Sequence, residues 1–277
     1  MKKFILMTAM AVSLMSCNRS ENDETVTEST PVLPTKIHST SEDGDDSTIT
    51  LTYNGNKLLE IVGAYGSDTN TVNFEYSNNL ISKIVKKKDT DVTTTTFEYL
   101  NGRLIKTVST GTKNNKQYNL KIETNYTYNT DGTVTAEETQ VYTYPSDTYT
   151  SSGSYVYTLT DGQVSKYVST HTSQYSTSVF NSTISYDDKN GIFKNIAGFK
   201  EALLGLNLIM EGELSFTQNN YTTYTSIDSN GNTYKTTYQN TYNSNSYPTN
   251  IVSTYTYSNN SNGSSSDTNT YTITYNK

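Results

Sequence analysis

The chain has 277 residues and a formal net charge of −7, with 25 Tyr, 7 Phe, 2 His, 1 Cys and no Trp. Two His and one Cys cannot furnish a multi-ligand Cys/His metal centre, and a pI near 4.9 runs against the electrostatics of nucleic-acid binding. Leu, Ile, Val, Phe and Met are scarce, while Thr, Tyr, Asn and Ser dominate, so strands and turns are expected rather than a thick apolar core between layers.

Lys2 and Lys3 precede an apolar run from Phe4 to Leu14 that is too short for a membrane-spanning helix. Leu14-Met15-Ser16-Cys17 follows and resembles a bacterial lipoprotein signal, although Met15 is bulkier than the usual residue. The resemblance implies removal of residues 1–16 and acylation of Cys17, including palmitate or a similar chain. Several acyl chains give stable membrane anchoring, where one gives only marginal binding. Asn18 stands where an inner-membrane retention signal carries Asp. The acidic cluster Glu21, Asp23 and Glu24 resembles a surface-export signal as much as it does a solvated spacer. The outer membrane is therefore expected, on either its periplasmic or its cell-surface face.

From residue 18 to about 47 the chain holds Pro31, Pro34, many Ser and Thr, and the acidic run Glu42-Asp43-Gly44-Asp45-Asp46. This composition predicts a disordered tether over 17–47, counting the lipidated Cys. The acidic run lacks the spacing of a calcium loop. Asp46-Ser47-Thr48 resembles a short O-glycosylation motif.

Residues 48–277 read as a chain of hairpins. The clearest units are Thr50 to Leu58, Asn73 to Leu80 and Thr96 to Leu104, with Tyr53, Tyr76 and Tyr99 at a fixed interval. Looser copies follow, with turns at Asp131-Gly132, Asp161-Gly162, Asn190-Gly191 and Asn230-Gly231. Such pairs adopt positive φ at low cost and mark tight hairpins. Phe74 and Tyr76 share a face opposite Asn73 and Glu75, and Tyr271, Ile273 and Tyr275 alternate with Thr residues. One aromatic face and one polar face are the mark of an antiparallel sheet covered on one side. The segment Phe193 to Met210 breaks this pattern, since Phe199, Leu203, Leu206 and Met210 fall on one helical stripe. A short helix over about 197–210 is expected to cover or plug the inner face, or to act as a lid.

The Tyr-x-x-Asn-Gly-x-Leu hairpins resemble YD-type repeats. Tyr186 to Ile196 and Tyr247 to Val252, together with the lipoprotein signal, resemble a Bacteroidota lipoprotein family of unknown function. That resemblance implies a porin-like, single meandering antiparallel sheet curled into a barrel or half-barrel, and it brings no activity, cofactor or catalytic residue.

Residue chemistry points the same way. His38 falls in the predicted tether, and His171 lies alone in a Thr/Ser-rich strand. No serine elbow, phosphate loop or zinc-protease motif is present. Glu137-Glu138 and Asp187-Asp188 are adjacent pairs whose members point to opposite faces of a strand; the second pair also belongs to a turn. Asp228 to Asn232 reads as a hairpin turn before it reads as a cation site. The expected protein is a non-enzymatic, lipid-anchored module, ahead of a hydrolase, which would need clustered carboxylates in a cleft. It holds an apolar or glycan ligand on its aromatic inner face or serves as a structural, adhesin-like surface component. A membrane-spanning barrel needs an apolar outer band, whereas the outward set expected here is Thr, Ser and Lys, as in Thr93 to Thr96 and Lys86 to Lys88.

Overall fold

The computed structural model describes residues 30–65, 68–113, 117–209, 216–259 and 263–277. The signal segment, Cys17, the start of the tether and Met210 lie outside the described residues. Sixteen strands follow in chain order: β1 (Pro34–Ser41), β2 (Asp46–Asn54), β3 (Lys57–Tyr65), β4 (Asp68–Ser77), β5 (Leu80–Lys88), β6 (Asp91–Leu100), β7 (Arg103–Lys113), β8 (Tyr118–Tyr128), β9 (Thr133–Thr143), β10 (Thr148–Thr160), β11 (Gln163–Thr172), β12 (Thr177–Tyr186), β13 (Tyr221–Asp228), β14 (Thr233–Tyr242), β15 (Pro248–Ser258) and β16 (Ser264–Tyr275). One helix, α1 (Phe199–Ile209), interrupts them between β12 and β13.

Each strand pairs antiparallel with its chain neighbours, and β1 pairs with β16, setting Ile37 opposite Ile273. The sheet therefore closes into a barrel. The closure corrects the expected tether: residues 34–47 are β1, its turn and the start of β2. Ile37 is 2% exposed and explains the difference, because it supplies the inward apolar residue that the last seam needs. His38 thus sits in the wall, with Nε2 3.2 Å from Asp46. Ser47 lies in β2 with its hydroxyl 2.6 Å from that of Ser39.

The repeat has a geometric cause. A bulge precedes Tyr53, Tyr76 and Tyr99, so each Tyr pairs with the Leu or Ile that follows its turn and both face inward. At the turns, Asn101-Gly102 and Asp161-Gly162 carry positive φ at both residues, the twist-matched geometry of two-residue hairpins. These turns gather at one end of the barrel. Asn190-Gly191 is an exception to the hairpin reading. A Cβ on Gly191 would lie 2.3 Å from the Thr217 carbonyl oxygen, because here the chain leaves the wall and turns into the lumen.

The segment between β12 and β13 is a plug. Phe199, Ala202 and Leu206 on α1 are almost fully buried, and α1 packs on β5 and β7. Phe199 touches the rings of Phe74, Phe193 and Phe216 at centroid distances of 5.9, 6.1 and 5.8 Å. Gly205 faces Phe97, Leu104 and Thr107 so closely that a Cβ would meet each at 3.0–3.1 Å. Leu58, Ile81, Ile84, Leu104, Val134 and Val164 complete this half of the core. Asp187 ties the plug to the wall by accepting from the Lys189 and Asn220 backbone N–H groups and from the Tyr242 hydroxyl. Burial, and then this bond to Asp187, push the Tyr242 hydroxyl pKa upward.

Candidate binding site in the barrel lumen

The inward positions change character along the barrel. At the plug end they are Leu, Ile, Val and Phe. Beyond Thr107 they become small hydroxyls, such as Thr95 and Ser109, whose oxygens are 2.7 Å apart, and Ser182 and Ser226 at 2.9 Å. The described part of the plug, α1, packs on the apolar half. The polar half retains a hollow of about 370 Å³, lined by Thr107, Lys86, Glu138, Gln140, Tyr142 and Tyr155 among others. This volume lies within the usual range for small-molecule sites. Lys86, Thr93 and Thr95 thus point inward, so the sequence-based assignment of Lys86 to Lys88 and Thr93 to Thr96 to the outside holds only for alternate members.

Glu138 is the centre of this hollow. It comes from β9, whose inward residues are Val134, Ala136, Glu138, Gln140 and Tyr142 in register with β8 and β10. Its side chain is 6% exposed. The Gln140 amide donates to its Oε1 at 2.6 Å and the Thr124 hydroxyl to its Oε2 at 3.4 Å. Among the described residues it makes no ion pair. Glu137 faces outward and accepts from Ser154, as strand alternation requires.

Gly153 of β10 lies opposite both Glu138 and His171. A Cβ there would lie 3.4 Å from the Glu138 carboxylate, 3.5 Å from His171 Nδ1 and 3.3 Å from the Tyr155 ring. The missing side chain keeps a gap open between acceptor, imidazole and aromatic ring. His171 is half-buried and meets Tyr155 edge-on at 5.3 Å, so it belongs to the lumen rather than to a solvated face. Desolvation, and then the Glu138 charge, raise the Tyr155 hydroxyl pKa; Tyr142 is raised by burial, then by Tyr118 and Glu138. At neutral pH these phenols are therefore neutral donors. Carboxylate, amide, hydroxyls and ring faces, with the inward Lys86 and Lys113, make a polar lining of mixed charge that can hydrogen-bond a hydroxyl-rich ligand.

Asp187 and Asp188 separate as the sequence requires: Asp187 anchors the plug, and Asp188 is exposed beside Lys189 at 3.0 Å. Asp228 caps its own turn, accepting from the Asn230 and Asn232 backbone. A second hollow of about 560 Å³ lies at the plug end beside Arg103, Lys200 and Glu201. Those three residues are solvent-exposed.

A crystal structure of a porin-like protein from Bacteroides vulgatus ATCC 8482 superposes with a TM-score of 0.53 at 15% identity, covering 89% of this chain and 99% of that one. The chain shares the fold of porin-like barrels. A porin-like protein from Bacteroides uniformis ATCC 8492 aligns with a TM-score of 0.50 at 14% identity, over 87% of this chain and 98% of the other. No protein-family profile and no curated protein matches the chain.

Proposed function

We propose that the protein is a non-catalytic, lipid-anchored module of the outer membrane that binds a carbohydrate in the open half of its barrel. The observation that carries this reading is Glu138: a buried carboxylate whose donors among the described residues are the Gln140 amide and the Thr124 hydroxyl, on the wall of an open hollow flanked by Tyr142 and Tyr155 and also lined by Lys86 and Lys113. Burying an unpaired charge is expensive, and sugar hydroxyls can supply the missing donors while tyrosine rings pack on the apolar faces of a pyranose. The same polarity disfavours a wholly apolar ligand.

Anchoring rests on Cys17 and the signal before it. The described chain enters the barrel at the plug end, where Leu33 exchanges 3.0 Å hydrogen bonds with Asn276. The outward wall supports a water-facing barrel. It carries Lys83 with Glu75 at 2.7 Å and Lys106 with Glu123 at 2.7 Å, where a bilayer would demand apolar residues.

Calorimetric titration of the mature protein with cellobiose, maltose and chitobiose tests the site. Saturable binding of at least one disaccharide is expected, weakened about tenfold or more in Glu138→Gln. Absence of binding at millimolar sugar, or equal binding by the variant, would refute the assignment. For the anchor, Cys17→Ser is expected to abolish palmitate labelling and release the protein from the membrane fraction.

A further inference from the structure

A line of tyrosines runs from the barrel rim into the hollow. Tyr149, which is 40% exposed, meets Tyr144 at 5.7 Å; Tyr144 meets Tyr118 at 4.8 Å; Tyr118 meets Tyr142 at 5.8 Å. The contacts are tilted or edge-on rather than parallel stacks. Tyr175, 84% exposed, stands in the β11–β12 turn at the same end. The line then turns polar. The Tyr142 hydroxyl donates to Gln140 Oε1 at 2.5 Å, and Gln140 donates to Glu138 at 2.6 Å. Tyr142, Gln140 and Glu138 are successive inward residues of β9, so rim and floor are joined by one strand.

The plug borders the far end. The Thr107 methyl packs against Gly205 of α1, while Thr107 itself lines the hollow. A chain entering from the rim would meet the plug there.

We propose that the lumen captures the end of an oligosaccharide chain, with its terminal sugar at Glu138 and the next units lying over Tyr142, Tyr118, Tyr144 and Tyr149. This rests on the carbohydrate reading above and extends it from a sugar-sized site to a set of subsites. The ring-to-ring steps are close to the advance of one pyranose unit. A lumen narrowed by the plug favours a chain end over a threaded polymer.

The test is calorimetry on the mature protein with β-1,4-linked glucose and N-acetylglucosamine oligomers of increasing length. Affinity is expected to rise with length and then level off. The double variant Tyr144→Ala/Tyr149→Ala is expected to keep disaccharide affinity and lose the gain with length, roughly two- to tenfold per ring. Tyr144→Phe/Tyr149→Phe is expected to retain most of that gain, and an unchanged melting temperature shows that each variant is folded. If the disaccharide binds and length adds nothing, or the alanine variant keeps the length dependence, the subsite proposal is overturned while the Glu138 site stands. If no oligomer and no disaccharide binds, both fall.

Discussion

Truncating Phe199 separates a plug from a lid. The ring is 1% exposed and touches three other phenylalanines. Phe→Ala in a core costs about 3–5 kcal/mol, and three ring pairs, each worth about 0.5–1.5 kcal/mol beyond area, place this site at the upper end. With a urea m-value near 3 kcal/mol/M for a chain of this size, the midpoint should fall by roughly 1–2 M. Urea titration followed by tyrosine fluorescence reads this directly. Leu100→Ala is the control, because Leu100 is 61% exposed and its loss should stay within about 0.5 kcal/mol. The refuting result is a Phe199→Ala midpoint indistinguishable from that of the Leu100 control. In that case α1 opens independently of the barrel and the segment is a lid.

The remaining predictions concern the wall, the anchor of the plug and pH. Gly111→Ala places a Cβ 2.2 Å from the Val92 carbonyl oxygen and should destabilise by about 1–3 kcal/mol through forced strand movement, seen as a lowered urea midpoint. Gly132→Ala has open space and only its positive φ to pay for, so about 1 kcal/mol is expected in the same assay. Asp187→Ala removes a charged acceptor of several hydrogen bonds and should cost about 2–3 kcal/mol, with amide exchange accelerating first in residues 187–220. The Lys106 ammonium lowers the Glu123 pKa, so Glu123 contributes stability above its unfolded pKa and loses it as pH falls through the folded one. Stability should therefore drop below about pH 4, and Glu123→Gln should flatten that limb of a pH–stability curve.

The barrel was legible because its turns are written in local chemistry. Asn101-Gly102 and Asp161-Gly162 require φ values that few other pairs adopt, and Tyr53, Tyr76 and Tyr99 repeat at an interval that returns the chain to the same level of the wall. Alternation then placed Phe74 and Tyr76 inside and Glu75 outside. The plug helix was legible from the stripe of Phe199, Leu203 and Leu206. What sequence reasoning missed was set by distant pairing. Residues 34–47 look like a polar linker, and only the partner β16 makes Ile37 a core residue. Glu138 and His171 lie 33 positions apart in sequence, and they converge only because both are in register with Gly153. A glycine inside a strand otherwise rich in Tyr and Ser was the one available signal, since such a glycine marks close approach or a gap.

The porin-like fold and the outward wall pull toward different readings, and magnitude decides between them. A lysine on the lipid face of a barrel costs about 2–4 kcal/mol at the bilayer midplane. Lys83, Lys106, Lys121, Lys166 and Lys235 all lie on outward strand positions, with Thr, Val and Asn among their outward neighbours. Even if several sat near an interface, their summed cost would approach the whole stability of an ordinary domain, about 5–15 kcal/mol. Inside, Phe199, Ala202 and Leu206 are buried in the plug half. Outward lysines and a lumen partly filled by the plug both weigh against an open lipid-facing pore. The sixteen-strand barrel is therefore read as a cup, with the plug and the proposed site in series. Strand number thus explains why a chain so poor in aliphatics needs its helix. Without the plug, a barrel this wide would hold water against Leu58, Ile81 and Leu104, and the apolar half of its inner face would have nothing to bury against.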